Sequence, residues 1–237
     1  MEQVLVYDTT LRDGTQGENI NFSANDKLKV AKKLDELGVH YIEGGWPGSN
    51  ERDESFFAMA RAETFENARL TAFGATHKFG IKPAEDRHLN AIIESGATVG
   101  TIFGKTWDLH VEKILNIGLS DNLELIEGSV GHLKQNRMEV HYDAEHFFDG
   151  YKENPDYATQ TLKAAVKGGA DALVLCDTNG GTLPHEVENI MHELREALFN
   201  DPEIGPKARA TRFGIHTHND SGLAVANSIT AVRCGAV

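Results

Sequence analysis

A chain of 237 residues, 40% hydrophobic and 25% charged with 23 glycines and 6 prolines, has the composition of a folded globular protein. That excludes a collagen, a low-complexity tail and a small disulfide-built scaffold. With 36 acidic against 23 basic residues the formal charge is −13, so nucleic acid or anionic membrane held by bulk attraction is not expected, although a local basic pocket for a small anion is.

Met1, Glu2 and Gln3 lead directly into a strand-like run at 4–7. There is no basic segment, signal-like apolar core or span-length run, so a cytoplasmic location is the expectation. Further apolar runs follow at 39–42, 70–73, 99–103, 138–142, 172–176 and 213–216, and helical spacing fills the intervals at 25–37, 84–94, 120–135, 157–167, 183–198 and 223–232. Ser23 is a candidate N-cap for the first helix, and Ser120 gives a partial capping box for the third. Gly38, Gly96 and Gly169 stand where helices must stop, so one helix-Gly-strand joint is reused along the chain, and Arg233-Cys234-Gly235-Ala236-Val237 repeats it. Residues 200–206 read as an ordinary loop.

A spacing of roughly 30 to 40 residues per unit is that of a (β/α)₈ TIM barrel of about 250 residues. Ala236-Val237 then reads as the start of an eighth strand, so the expectation is one catalytic barrel domain over 1–237, truncated before its eighth βα unit. A doubly wound sheet is the alternative, but neither a Gly-x-Gly-x-x-Gly turn nor a switch point is present. Cys176 and Cys234 fit a reducing compartment and belong to no closely spaced metal motif. Cys176 reads as a small buried hydrophobe.

Polar residues gather after the strands, on what would be the catalytic rim. After the first comes Asp8-Thr9-Thr10-Leu11-Arg12-Asp13-Gly14-Thr15-Gln16, after the second Glu43-Gly44-Gly45-Trp46-Pro47-Gly48, and after the fifth Asp143-Ala144-Glu145. Asp177-Thr178-Asn179-Gly180-Gly181 follows the sixth and His216-Thr217-His218-Asn219-Asp220 the seventh. Residues two apart on a strand share a face, so His216 and His218 can reach one cation, with Asp13 as a candidate carboxylate ligand. Either histidine alone would read as a hydrogen-bonded barrel residue. The pair points to a metal. His88, His132, His185 and His192 sit on helix-like stretches and read as surface residues. Lys105, Trp107 and Trp46 are candidates for CoA contact, but solvation and packing are the readier explanations.

The first and last of these clusters together resemble the DRE-TIM metallolyase superfamily, the HMGL-like group of isopropylmalate, homocitrate and citramalate synthases and hydroxymethylglutaryl-CoA lyase. The segments Glu43-Gly44-Gly45-Trp46-Pro47-Gly48-Ser49-Asn50, Phe103-Gly104-Lys105-Thr106-Trp107-Asp108-Leu109-His110 and Tyr142-Asp143-Ala144-Glu145-His146-Phe147-Phe148-Asp149-Gly150-Tyr151 look most like the citramalate synthase branch. The resemblance implies condensation of acetyl-CoA with a 2-oxo acid, pyruvate in that branch, on a divalent metal: Mg, Mn, Zn or Co. It assigns Asp13, His216 and His218 to the metal, Arg12 to the substrate and the developing oxyanion, Glu145 to proton transfer and Thr178 to the substrate carboxylate. Glu43 pairs with Arg12 beside the substrate, and Gln16 and Asn219 are orienting groups or turn formers. It also implies a homodimer for the full-length protein. The eighth-strand residues of the family and its C-terminal subdomains have no counterpart in the 237 residues. Sibling synthases, a lyase running the reverse cleavage, and a non-catalytic fragment that binds metal or oxo acid are the alternatives.

Overall fold

In the computed structural model, which describes residues 3–237, the apolar runs become seven parallel strands paired in the order in which they occur. They are β1 (Tyr7–Asp8), β2 (Tyr41–Gly45), β3 (Arg69–Ala75), β4 (Val99–Lys105), β5 (Glu139–Glu145), β6 (Ala172–Asp177) and β7 (Arg212–Thr217). The helices between and after them are α1 (Ala24–Leu37), α2 (Glu51–Ala60), α3 (Arg87–Glu94), a single turn α4 (Asp108–His110) continued by a π turn, α5 (Leu119–Gln135), α6 (Phe147–Glu153), α7 (Pro155–Gly168), α8 (Pro184–Phe199), α9 (Gly205–Ala210) and α10 (Ala224–Arg233). Strictly sequential parallel pairing is the winding of a βα barrel, whereas a doubly wound sheet must reverse its order at a switch point. The fold is a TIM barrel through seven βα units, with no eighth strand among the described residues.

The two faces of the sheet differ in chemistry. Outward residues such as Ile42, Ala72, Ile102, Val140, Leu173 and Leu175 are fully buried against the helices and form the apolar core. Inward residues are largely polar. At the N-terminal end of the barrel Glu139 accepts from Tyr41 Oη at 2.8 Å and His141 Nε2 at 2.9 Å, and pairs with Arg69 and Arg212 from β3 and β7. One level higher, Tyr7 donates to Glu43 at 2.6 Å and lies 2.8 Å from Thr101 Oγ1. The burial of these polar groups is offset by the hydrogen bonds and ion pairs they make to one another.

Local chemistry explains most of the boundaries. Ser23 and Asp26 form a reciprocal capping box at the start of α1. Gly38, Gly96, Gly169 and Gly235 all adopt left-handed φ, between 82° and 96°, at the four equivalent joints. Several boundaries differ from expectation. The first strand is Tyr7–Asp8 rather than 4–7, because β1 pairs with β2 alone; Met1 and Glu2 lie outside the described residues. Gly118, not Ser120, occupies the N-cap of α5, with the Asp121 carboxylate accepting from its N–H at 3.0 Å. Helices α2 and α6 carry no long apolar stripe to signal them, and α9 replaces the far end of the expected loop. Among the described residues no helix is long and apolar enough to cross a membrane.

Candidate metal centre and active site

The turn after β1 places Arg12 and Asp13. Asp8 accepts from Thr10 N at 2.9 Å, the Arg12 and Gly14 amides both donate to Thr9 O at 3.1 Å, and fully buried Leu11 anchors the loop to the core. Arg12 Nε donates to Glu43 Oε1 at 2.5 Å, its Nη1 donates to Asp13 Oδ1 at 3.1 Å, and its guanidinium carbon lies 3.8 Å above the Phe73 ring. Glu43 is itself buried and held by Tyr7, so the arginine fork is fixed from below.

β7 supplies the histidines. His216 lies in the strand, and His218 continues its geometry because its N–H still donates to Asp177 O, at 3.2 Å. Both Nε2 atoms lie 3.5 Å from Asp13 Oδ2. Donors bound at about 2.0–2.2 Å to one ion sit roughly 3–3.5 Å apart, so the spacing and the N₂O donor set fit a divalent cation. The electrostatics agree. His216, ahead of Arg12, draws the Asp13 carboxyl down to about 2 against the effect of burial. Burial disfavours a charged His216, but Asp13 and Asp143 outweigh it and raise its affinity for a proton.

Glu145 ends β5 opposite Lys105 at the end of β4, and the two side chains form an ion pair. Thr178 Oγ1 accepts from His146 N at 2.9 Å, tying the loops after β5 and β6 together. Gln16 is exposed on the turn beyond Asp13. Asn219 accepts from Ala224 N at 3.2 Å and so shapes the turn into α10. Trp46 packs edge-on against Phe73 and Phe103, 5.8 and 5.7 Å between centroids, and Trp107 donates to Glu153 at 2.7 Å. Cys176 is buried, and burial pushes its thiol up.

Two inward groups stood in the sequence reading, Asp143 in the rim cluster and Lys105 as a candidate for CoA contact, without the surroundings the structure gives them. Asp143, one pair of residues below Glu145, is pushed up to about 7 by burial and by the neighbouring Glu43. Lys105 is the partner of Glu145 rather than a solvated cation. The alternation Glu139, His141, Asp143, Glu145 along β5 was the available signal.

The HMGL-like family model matches residues 3–237. The (R)-citramalate synthase of Geobacter sulfurreducens is 53% identical over 237 residues, 100% of this chain and 43% of that protein. A 2-isopropylmalate synthase of Bacillus thuringiensis subsp. konkukian is 31% identical over 238 residues, 100% of this chain and 44% of its own length. The chain thus spans less than half of the curated relatives it matches. Among solved structures, the HMG-CoA lyase of Bacillus subtilis superposes with a TM-score of 0.77 at 21% identity, covering 99% of this chain and 75% of that one, a likeness of fold.

Proposed function

The chain belongs to the HMGL-like family, and from that premise we propose that it is the catalytic barrel of a citramalate synthase, condensing acetyl-CoA with pyruvate and releasing CoA. The observation that carries this reading is the convergence of Asp13, His216 and His218 beside an arginine that buried Glu43 holds in place. A divalent cation there, Mg, Mn, Zn or Co, would supply Lewis acidity toward the oxo group.

The remaining chemistry falls to the chain. Arg12 has Nε on Glu43 and Nη1 on Asp13, which leaves Nη2 to donate to the oxo acid or to the oxygen on which charge develops. Thr178 accepts from the His146 amide and keeps its own proton to donate to the substrate carboxylate. Gln16 adds a polar contact at the same turn. Glu145, aimed by Lys105, takes a proton from the acetyl methyl group. That carbon then bonds to C2 of pyruvate, whose oxygen gains a proton and becomes the hydroxyl. Water cleaves the thioester, giving the second carboxylate and the CoA thiol.

Pyruvate is favoured over a branched oxo acid by the 53% identity to a citramalate synthase against 31% to an isopropylmalate synthase. The aromatic wall of Phe73, Phe103 and Trp46 beside Arg12 also supports a small substrate. A cytoplasmic homodimer belongs to the same reading. Val225, Ile229 and Val232 form an exposed apolar stripe on α10 that association would cover. The test is thiol release from acetyl-CoA with pyruvate, 2-oxoisovalerate or 2-oxoglutarate, on this chain and on a full-length form. Release with pyruvate and formation of citramalate is the expected result; release only with another oxo acid overturns the substrate. Metal binding without turnover by either form favours a non-catalytic barrel.

A further inference from the structure

A second group of donors lies on the helical, outer layer of the barrel, where α8 meets the end of α10. Glu188 and His192 are four residues apart on α8 and so share one helix face. Cys234 follows the last residue of α10, which packs against α8. One ligand atom from each of the three lies within 4.8 Å of the others, and Cys234 Sγ is 3.9 Å from His192 Nε2.

The thiol is held there by backbone. Cys234 N donates to Thr230 O at 3.0 Å, Gly235 takes φ +96°, and Arg195 Nη1 of α8 donates to Gly235 O at 3.1 Å. At that φ an L side chain would be strained, so the joint requires glycine. Arg195 is fixed in turn over Phe199 and Phe213, 5.1 and 5.6 Å from the ring centroids. The sulfur is thus presented to His192 by a rigid joint, while the Glu188 side chain is exposed and able to swing.

We propose that Glu188, His192 and Cys234 form a second metal site, selective for zinc-class cations, that fastens the end of α10 to α8. Zinc distances of about 2.3 Å to sulfur and about 2.0–2.2 Å to nitrogen and oxygen put tetrahedral ligands roughly 3.3–3.6 Å apart. The sulfur and imidazole therefore need to close by only a few tenths of an ångström, and rotation of Glu188 supplies the rest. Water fills the fourth position, and the thiol proton leaves to solvent on binding. A sulfur ligand favours zinc or cobalt over magnesium or calcium, and the Asp13, His216 and His218 set at the rim contains no sulfur, so a thiolate signal reports this site alone.

Cobalt is the probe, because only a site with a thiolate gives a sulfur-to-cobalt charge-transfer band in the near ultraviolet. Titration of this chain with Co²⁺ in excess Mg²⁺ should produce that band, complete by two equivalents because the rim set also takes cobalt, and added Zn²⁺ should abolish it. Cys234→Ser should lose the band and Cys176→Ser should keep it. His192→Ala, an exposed position that leaves the thiol intact, should weaken Co²⁺ binding at least tenfold. No band in the wild-type chain, a band that survives Cys234→Ser, or unchanged affinity in His192→Ala would each overturn the site.

Discussion

Arg12 is held at once by two carboxylates and an aromatic ring, so its contribution is geometric as much as electrostatic. Lysine in its place keeps the charge and loses the fork. Arg12→Lys should therefore lower turnover by about 10²-fold or more, the scale for removing one donor to a developing oxyanion, with metal content unchanged. Thiol release and metal analysis of the same sample check both halves; near wild-type turnover would remove Arg12 from the chemistry. Glu145 poses a different question, because its pairing with Lys105 suits an anchor as well as the proposed base. If it takes the acetyl proton, Glu145→Gln should slow methyl hydrogen exchange in acetyl-CoA by about 10²-fold, while KM for pyruvate changes little. Exchange at full rate would reduce Glu145 to a structural partner of Lys105.

Among the elements, the polar plug at the bottom of the barrel makes the sharpest stability prediction. Glu139 receives Tyr41, His141, Arg69 and Arg212. Burial opposes its ionisation, but these four partners outweigh burial and hold its carboxyl well below the usual range. A depressed carboxylate contributes stability that is complete above the unfolded pKa of about 4.3 and is lost as pH falls toward the folded one. Glu139→Gln should cost about 1–2 kcal/mol at pH 7, since it removes the charge that two partly exposed arginines share. The gap to wild type should narrow at pH 3. Urea unfolding at both values checks the sign, and a gap independent of pH would mean that charge is not what Glu139 supplies. Nothing in the apolar periodicity announces this plug. The outward residues Val140, Tyr142 and Ala144 mark β5 as a strand, and the inward Glu139, His141 and Asp143 look like ordinary polar alternation until the sheet curls around them. The same curling explains the uneven legibility of the site. Arg12, Asp13, His216 and His218 sit in short contiguous motifs, whereas the roles of Lys105 and Asp143 depend on which strands become neighbours. Short helices such as α6 and α9 escape periodicity because two turns carry too few apolar positions to repeat.

For the molecule as a whole, the open seam between β1 and β7 is the dominant feature. A cavity of about 370 Å³ runs along it, lined by Val4, Val6, Ile215, Val232 and Val237 among others, and Val4 and Val6 remain 43% and 51% exposed. Val237 N already donates to Phe213 O at 2.9 Å, which continues the ladder on the β7 side of the gap. Strand edges of this kind leave backbone groups unpaired and apolar side chains wet. A polypeptide carrying one further βα unit after Val237 should fill the seam, bury both valines and unfold several degrees higher, each ~1 kcal/mol being worth about 2–4 °C at this size. Metal affinity should rise with it. β1 leads through the anchored Leu11 turn into Asp13, and β7 carries His216 and leads into His218, so the two halves of the proposed metal site stand on the two strands that face each other across the gap. Fixing their separation removes a motion that binding must otherwise freeze. Thermal unfolding and metal titration of the two lengths decide the matter: equal Tm and equal affinity would mean that seven units hold Asp13 to its histidines as firmly as eight.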